Sequence, residues 1–242
     1  MTPWRLELHD TLESTSDFCR ARAEQGEEDG LAVLARRQTK GRGTRGRNWD
    51  DPGGNLALSF LLRPDSLLPL LTALPFLVAV AAFDAISPAL RDSRALSIKW
   101  PNDLLLNGAK TAGILIESGG GAQPWIVVGL GVNIRRAPEI PGRRTTCLAE
   151  GSDTPPDVVT LAQDVLAEVA RLRAVFEAGG FDPVRALWLE RAHPLGTPLA
   201  VRGLDHYHEG LFNGLDGDGR LLLRTAGGKD LRLMTGDVLL TG

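Results

Sequence analysis

Apolar and polar side chains alternate through WRLELH at residues 4–9, the period-two pattern of a half-buried strand. The alternation runs into the hydroxyl cluster Ser14, Thr15 and Ser16. That cluster predicts a helix over residues 17–26, with Ser16 as N-cap and Gly26 as its stop. LAVLARR at 31–37 is a compact apolar run and predicts a buried strand; DPGG at 51–54 is turn chemistry, and NLALSFLL at 55–62 predicts another strand. The uncharged stretch 67–83 is interrupted by Pro69, Thr72 and Pro75, so it falls short of a membrane span and predicts a core helix beginning at Pro75 and ending at Ile86. Residues 95–117 read as strands joined by turns, because Asn107-Gly108 supplies the positive φ angles of a two-residue hairpin loop. WIVVGLGVNI, 125–134, is a further strand with glycines near its end, and helical spacing with a glycine stop marks 160–180 and then 181–192. From Pro194 the pattern changes to short strands around the turn NGLDGDGR, which suits a small β-barrel at 194–242 appended to a larger domain at 1–193.

Composition narrows the function classes. The chain has 242 residues, 43% hydrophobic and 24% charged, enough to bury a full core. A net charge of -3 argues against a surface made for nucleic acid. Cys19 and Cys147 are the two cysteines, neither with a close Cys or His partner in sequence, so neither a disulfide framework nor a thiolate metal site is expected. That usage fits a cytoplasmic location, and the N-terminus lacks the pattern of a secretion signal.

Against this acidic background RRQTKGRGTRGRNW, residues 36–49, carries six basic side chains and no acid. GRGTRG satisfies the G-x-G-x-x-G spacing of a dinucleotide loop. NWDDPGGN follows it, however, and cannot open the helix whose N-terminus would meet a pyrophosphate. A Walker loop fails because no Gly-Lys-Ser/Thr ends the glycine run, and a nucleic-acid patch would interleave aromatics where only Trp49 stands. What remains is a glycine-hinged, arginine-bearing loop able to close over a compact polyanion and exclude water.

Four segments, GRGTRGRNW, KWPNDLLL, KTAGILIE and VVGLGVNI, occur in this order and spacing. Together they resemble the biotin protein ligases, specifically the biotin–[acetyl-CoA carboxylase] ligases without a DNA-binding domain. The resemblance runs from about residue 7 to the C-terminus. It implies an α+β fold, a mixed and largely antiparallel sheet with helices like those of class II aminoacyl-tRNA synthetases, plus a small SH3-like C-terminal barrel. It also implies a two-step reaction. Biotin's carboxylate attacks the α-phosphate of MgATP to give biotinyl-5′-AMP and pyrophosphate, and a lysine of the biotin carboxyl carrier protein of acetyl-CoA carboxylase then takes the biotinyl group.

By this resemblance Ser14, Thr15, Ser16 and Gln38 line the biotin head, with Gly41, Arg42, Gly43, Thr44 and Gly113 continuing the pocket and Lys110 meeting the carboxylate. Trp49 and Asn133 face the adenylate, with Arg45, Arg47 and Asn102 on its phosphate side. Joining two anions needs cations, and Arg42, Arg45, Arg47 and Lys110 are available beside the Mg²⁺ that accompanies ATP. Asp103 is placed either to hold the metal or to accept the incoming lysine's proton.

Two departures stand out: Thr44 occupies a position where the family usually has arginine, and Ser16 one where asparagine is usual. The first predicts weaker retention of biotinyl-AMP. Simpler readings exist for several residues. Lys110 follows a hairpin turn, Asn102-Asp103 is turn chemistry after Pro101, and Trp100 and Trp125 suit packing. His193, His206 and His208 lack the partners of a metal site. Lipoate or octanoate transfer on the same fold, a biotin-sensing regulator and an inactive binding module are the competing functions. DNA binding is not expected, because the eight or nine residues before the first motif are too few for a helix-turn-helix. A homodimer is expected by analogy alone.

Overall fold

A computed structural model describes residues 3–120, 123–203 and 207–240. The tip of the 118–124 loop and His206 lie outside the described residues. The first strand, β1 (Arg5–His9), leads to helix α1 (Thr15–Glu24) and the buried strand β2 (Leu31–Ala35). After the basic loop come β3 (Leu56–Leu62), α2 (Leu67–Ile86), β4 (Leu96–Lys99), β5 (Asp103–Leu106), β6 (Ala109–Gly119) and β7 (Trp125–Val132). These seven strands form one sheet in the order β1-β2-β3-β7-β6-β5-β4, parallel between β1 and β2 and antiparallel elsewhere. This is the mixed, largely antiparallel sheet expected.

Two helix starts differ from the expectation. The N-cap of α1 is Ser14, not Ser16: Ser14 is extended (φ -152°) and its hydroxyl accepts from the Asp17 amide at 3.3 Å. Ser16 lies inside the first turn, buried and bonded to Ser59. Three adjacent hydroxyls satisfy the capping pattern equally well, and the register that buries Ser16 against the sheet decides between them. Helix α2 begins at Leu67 rather than Pro75. Pro69 sits in the first turn, where its missing N–H has no intrahelical acceptor to lose. Pro75 is interior and costs about 3 kcal/mol in helix propensity. Burial of eleven α2 residues offsets this, each large apolar side chain contributing about 1.5–3 kcal/mol. By length and composition α2 passes for a membrane span; here it is a core helix.

Helix α3 (Val158–Gly179) is capped by Asp157, whose carboxylate accepts from the amides of Val159 and Thr160. Gly180 at φ +69° ends it and starts α4 (Phe181–Arg191). Helix α1 covers one face of the sheet through Cys19, Ala23, Leu31, Val33, Leu61 and Val127, while α2, α3 and α4 cover the other.

The second sheet holds β8 (Pro198–Arg202), β9 (Tyr207–Leu215), β10 (Leu221–Arg224), β11 (Asp230–Leu233) and β12 (Asp237–Leu240). It is antiparallel in the order β11-β10-β9-β8-β12, as a small SH3-like barrel requires. It shares the main core. Trp188 of α4, 1% exposed, meets Phe76 of α2 and Phe212 of β9 edge-on at 5.7 and 6.4 Å, and Trp100 donates to the Gly219 carbonyl at 3.0 Å. The barrel is thereby fixed against the strands that carry KWPND.

Candidate active site

The β5–β6 hairpin places the central lysine. Asn107 and Gly108 take φ +52° and +72°, and Lys110 follows as the second residue of β6. Its Nζ lies 2.5 Å from Asp103 Oδ1. Asp103 opens β5 and pairs in register with Lys99, which ends β4, and the Lys99 Nζ is 3.3 Å from the other oxygen, Oδ2. Burial pushes the Asp103 carboxyl pKa up, but the Lys110 and Lys99 charges outweigh it and hold the group below the usual carboxylate range.

Lys110 lies between two cavities. The first is walled by Thr15, Ser16 and Gln38 on one side, Arg42, Gly43, Thr44 and Trp49 from the loop, and Gly113, Gly129 and Gly131 from the sheet. Its polar wall is a relay. Gln38 Oε1 accepts from the Thr15 amide at 2.8 Å and hydroxyl at 3.1 Å, Ser59 donates to Thr15 Oγ1 at 2.8 Å, and Ser59 pairs with Ser16 at 3.1 Å. This leaves the Gln38 amide NH₂ free of an intramolecular partner among the described residues. The wall is neutral, as a ureido ring needs.

The cavity holds about 40 Å³, far below the ~300–1,000 Å³ of ordinary ligand pockets. The Trp49 indole narrows it, packed on Gly113 and Gly131, where an added Cβ would meet the ring. The indole Nε1 is buried without a hydrogen-bond partner among the described residues, and so is Asn133 Oδ1, while the Asn133 amide donates to the Thr146 carbonyl at 3.1 Å. The orphaned Trp49 N–H is open to a ligand of the first cavity, which Trp49 lines, whereas Asn133 lines neither cavity.

The loop root is held firmly. Gly41 has to be glycine because a Cβ there would collide with the Trp49 carbonyl. Arg42 is not a free cation, contrary to the reading from sequence. Its guanidinium binds both oxygens of Glu117, at 2.6 and 3.0 Å, and Asp17 at 2.7 Å, so its charge is already offset. The hydrogen bond to Glu117 holds it further toward the charged form. Arg45 sits at φ +59°, a conformation costing of order 1–2 kcal/mol for a residue with a side chain.

Arg45 and Arg47 leave the first cavity and line the second, of about 200 Å³, together with Lys99, Asn102, Asp103 and Asp237. Both face Asp237 of the barrel, at 3.4 and 3.6 Å, and Arg143 reaches the same carboxylate at 3.3 Å. The Asn102 amide donates to the Ile114 carbonyl at 3.2 Å. Ser14 and Gly41 shape the backbone rather than line either cavity. Sequence reasoning missed Glu117, Ser59 and Asp237 and gave Lys99 no role; glycines alternating in a buried strand were the available signal for Gly129 and Gly131. No group of three His, Cys, Asp or Glu side chains gathers among the described residues to form a metal cage.

His193, at the junction with the barrel, is half-buried. Burial and then the Lys99 charge lower its pKa to about 4. A depressed folded-state pKa means the unfolded chain binds the proton first, so stability should fall as pH drops from ~6.5 toward the folded value. The urea midpoint should decline between pH 7 and 5, and less steeply in His193→Phe; equal slopes in the two proteins would refute this.

An arginine-bearing loop, a neutral polar wall and a carboxylate-bridged lysine pair on this fold are the groups that joining two anions requires. The chain belongs to the biotin/lipoate A/B protein ligase family: that family's profile matches residues 9–133, and the biotin protein ligase C-terminal domain matches residues 201–240. It is 41% identical over 207 residues to a biotin–[acetyl-CoA-carboxylase] ligase of Paracoccus denitrificans, covering 82% of this chain and 86% of that one. It is 33% identical to a bifunctional ligase/repressor of Bacillus subtilis, over 91% of this chain and 69% of that one. Among solved structures, the biotin protein ligase of Aquifex aeolicus in complex with biotin and ATP superposes with a TM-score of 0.83 at 27% identity, covering 98% and 99% of the two chains.

Proposed function

We propose that the protein makes biotinyl-5′-AMP from biotin and MgATP and transfers the biotinyl group to a lysine of a biotin carboxyl carrier protein. The carrier is that of acetyl-CoA carboxylase, the substrate named for the Paracoccus relative. The observation that carries this reading is the placement of Lys110 at the meeting point of a small cavity with a neutral hydroxyl-and-amide wall and an arginine-lined one. Biotin's bicycle enters the first cavity against Thr15, Ser16 and Gln38, displacing the Trp49 indole from its present seat. The adenine meets Asn133 Oδ1 and Trp49, and the phosphates extend toward Arg45 and Arg47.

Lys110 then brings carboxylate and α-phosphate together by offsetting their repulsion. Asp103 acts here by positioning that lysine. With an ammonium on each oxygen it is a poor metal ligand and a weak base, so Mg²⁺ enters with the phosphates of ATP, as is usual for this ion. The work is done in the cytoplasm, where two free, buried cysteines are at ease.

Mixing the protein with biotin, MgATP and a carrier domain tests the reading. Pyrophosphate should appear in a biotin-dependent manner and the carrier should gain the biotinyl mass; pyrophosphate release with lipoate but not biotin would overturn it.

Thr44 bears on the second step. It opens the loop's 3₁₀ turn, lines both cavities and carries no charge over the intermediate. Thr44→Arg should slow release of biotinyl-AMP by roughly tenfold, the effect of about 1.4 kcal/mol. The check is a chase with unlabelled intermediate, and an unchanged dissociation rate would contradict the assignment.

A further inference from the structure

We infer that Lys99 is a positioning residue of the adenylation step, acting through Asp103 on Lys110; the inference rests on the function proposed above. Three contacts fix it. The Lys99 Nζ pairs with Asp103 Oδ2 at 3.3 Å and donates to the Val238 carbonyl of β12 at 3.1 Å, while the Lys110 Nζ holds Asp103 Oδ1 at 2.5 Å. One carboxylate therefore carries two ammonium groups, one on each oxygen.

The charge count gives the consequence. Lys110 and Asp103 alone would make a neutral pair, and the approaching carboxylate and phosphate would meet Asp103's negative charge together with Lys110's positive one. Lys99 returns the group to a net charge of +1. It also pins Oδ2, so the carboxylate cannot swing away from Lys110 when an anion arrives. Such preorganisation lowers a barrier because nothing has to reorient as charge develops. Lys99 is largely covered, with 19% of its side chain exposed, and it lines only the second cavity, so it has no place in the biotin pocket. The barrel supplies its other acceptor, which ties β12 to the reaction centre through a contact spanning 139 residues of sequence.

Lys99→Gln separates charge from structure, because an amide still donates to Val238 and Asp103 but adds no positive charge. Single-turnover pyrophosphate release at saturating biotin and MgATP should slow about tenfold in Lys99→Gln and recover in Lys99→Arg. The biotin Kd without nucleotide should stay within about twofold of wild type, since uniform binding is not what changes. A full rate in folded Lys99→Gln overturns the inference, and so does a loss seen mainly as weaker biotin binding. If the wild-type protein itself gives no biotin-dependent pyrophosphate, the functional reading fails instead, so the two failures are distinct.

Discussion

Lys110→Met is expected to lower biotin-dependent pyrophosphate release by about 10³-fold while the protein remains folded. Methionine keeps most of the reach and the apolar stem but removes the charge at the point where the two cavities meet. The loss is compounded electrostatically: Asp103 would keep only Lys99, and its carboxylate would add to the repulsion that the lysine now offsets. Truncating one partner of a buried ion pair commonly costs ~3–5 kcal/mol of stability, but here the second ammonium limits that cost. Rate and stability therefore separate. Stopped-flow pyrophosphate detection together with a thermal melt checks both, and a folded Lys110→Met enzyme at full rate would remove Lys110 from the chemistry.

The features legible in the sequence are those set by local chemistry. Asn107-Gly108 dictates a hairpin whatever the rest of the fold does, so the position of Lys110 after it follows from the four residues 107–110. The glycines of the basic loop read as hinges, whereas Gly41 is required by close approach to the Trp49 carbonyl. What stayed hidden depends on distant partners. Arg42 reads as a mobile cation until folding brings Glu117, 75 residues away, to its guanidinium. Lys99 and Asp237 carry no assigned role from sequence, since nothing near them shows that the Val238 carbonyl of β12 comes within hydrogen-bond reach of Lys99. The start of α2 differs from the sequence reading because proline marks a boundary locally, whereas burial overrides its cost in this largely apolar helix. Ser16 reads as the cap from local chemistry because its partner Ser59 lies on β3, 43 residues away.

Gly131→Val should reduce adenylation by about 10²-fold or more, mainly by weakening binding. Gly131 lies in the middle of the sheet, paired with Ala57 on β3 and Gly113 on β6, and valine suits such a strand by propensity. The backbone therefore tolerates the change, and the penalty falls on the cavity floor. A Cβ there meets the Trp49 indole, and a branched side chain fills part of the volume that a ligand must enter. Expelling the indole would not restore the site, because the new methyl groups would take the place it left. Biotin and ATP titrations, run below the melting temperature that the displaced indole lowers, should show raised dissociation constants. A variant that binds both normally would show that the ligands do not rest on the β6–β7 glycines, and the cavity assignment would have to be redrawn around the loop alone.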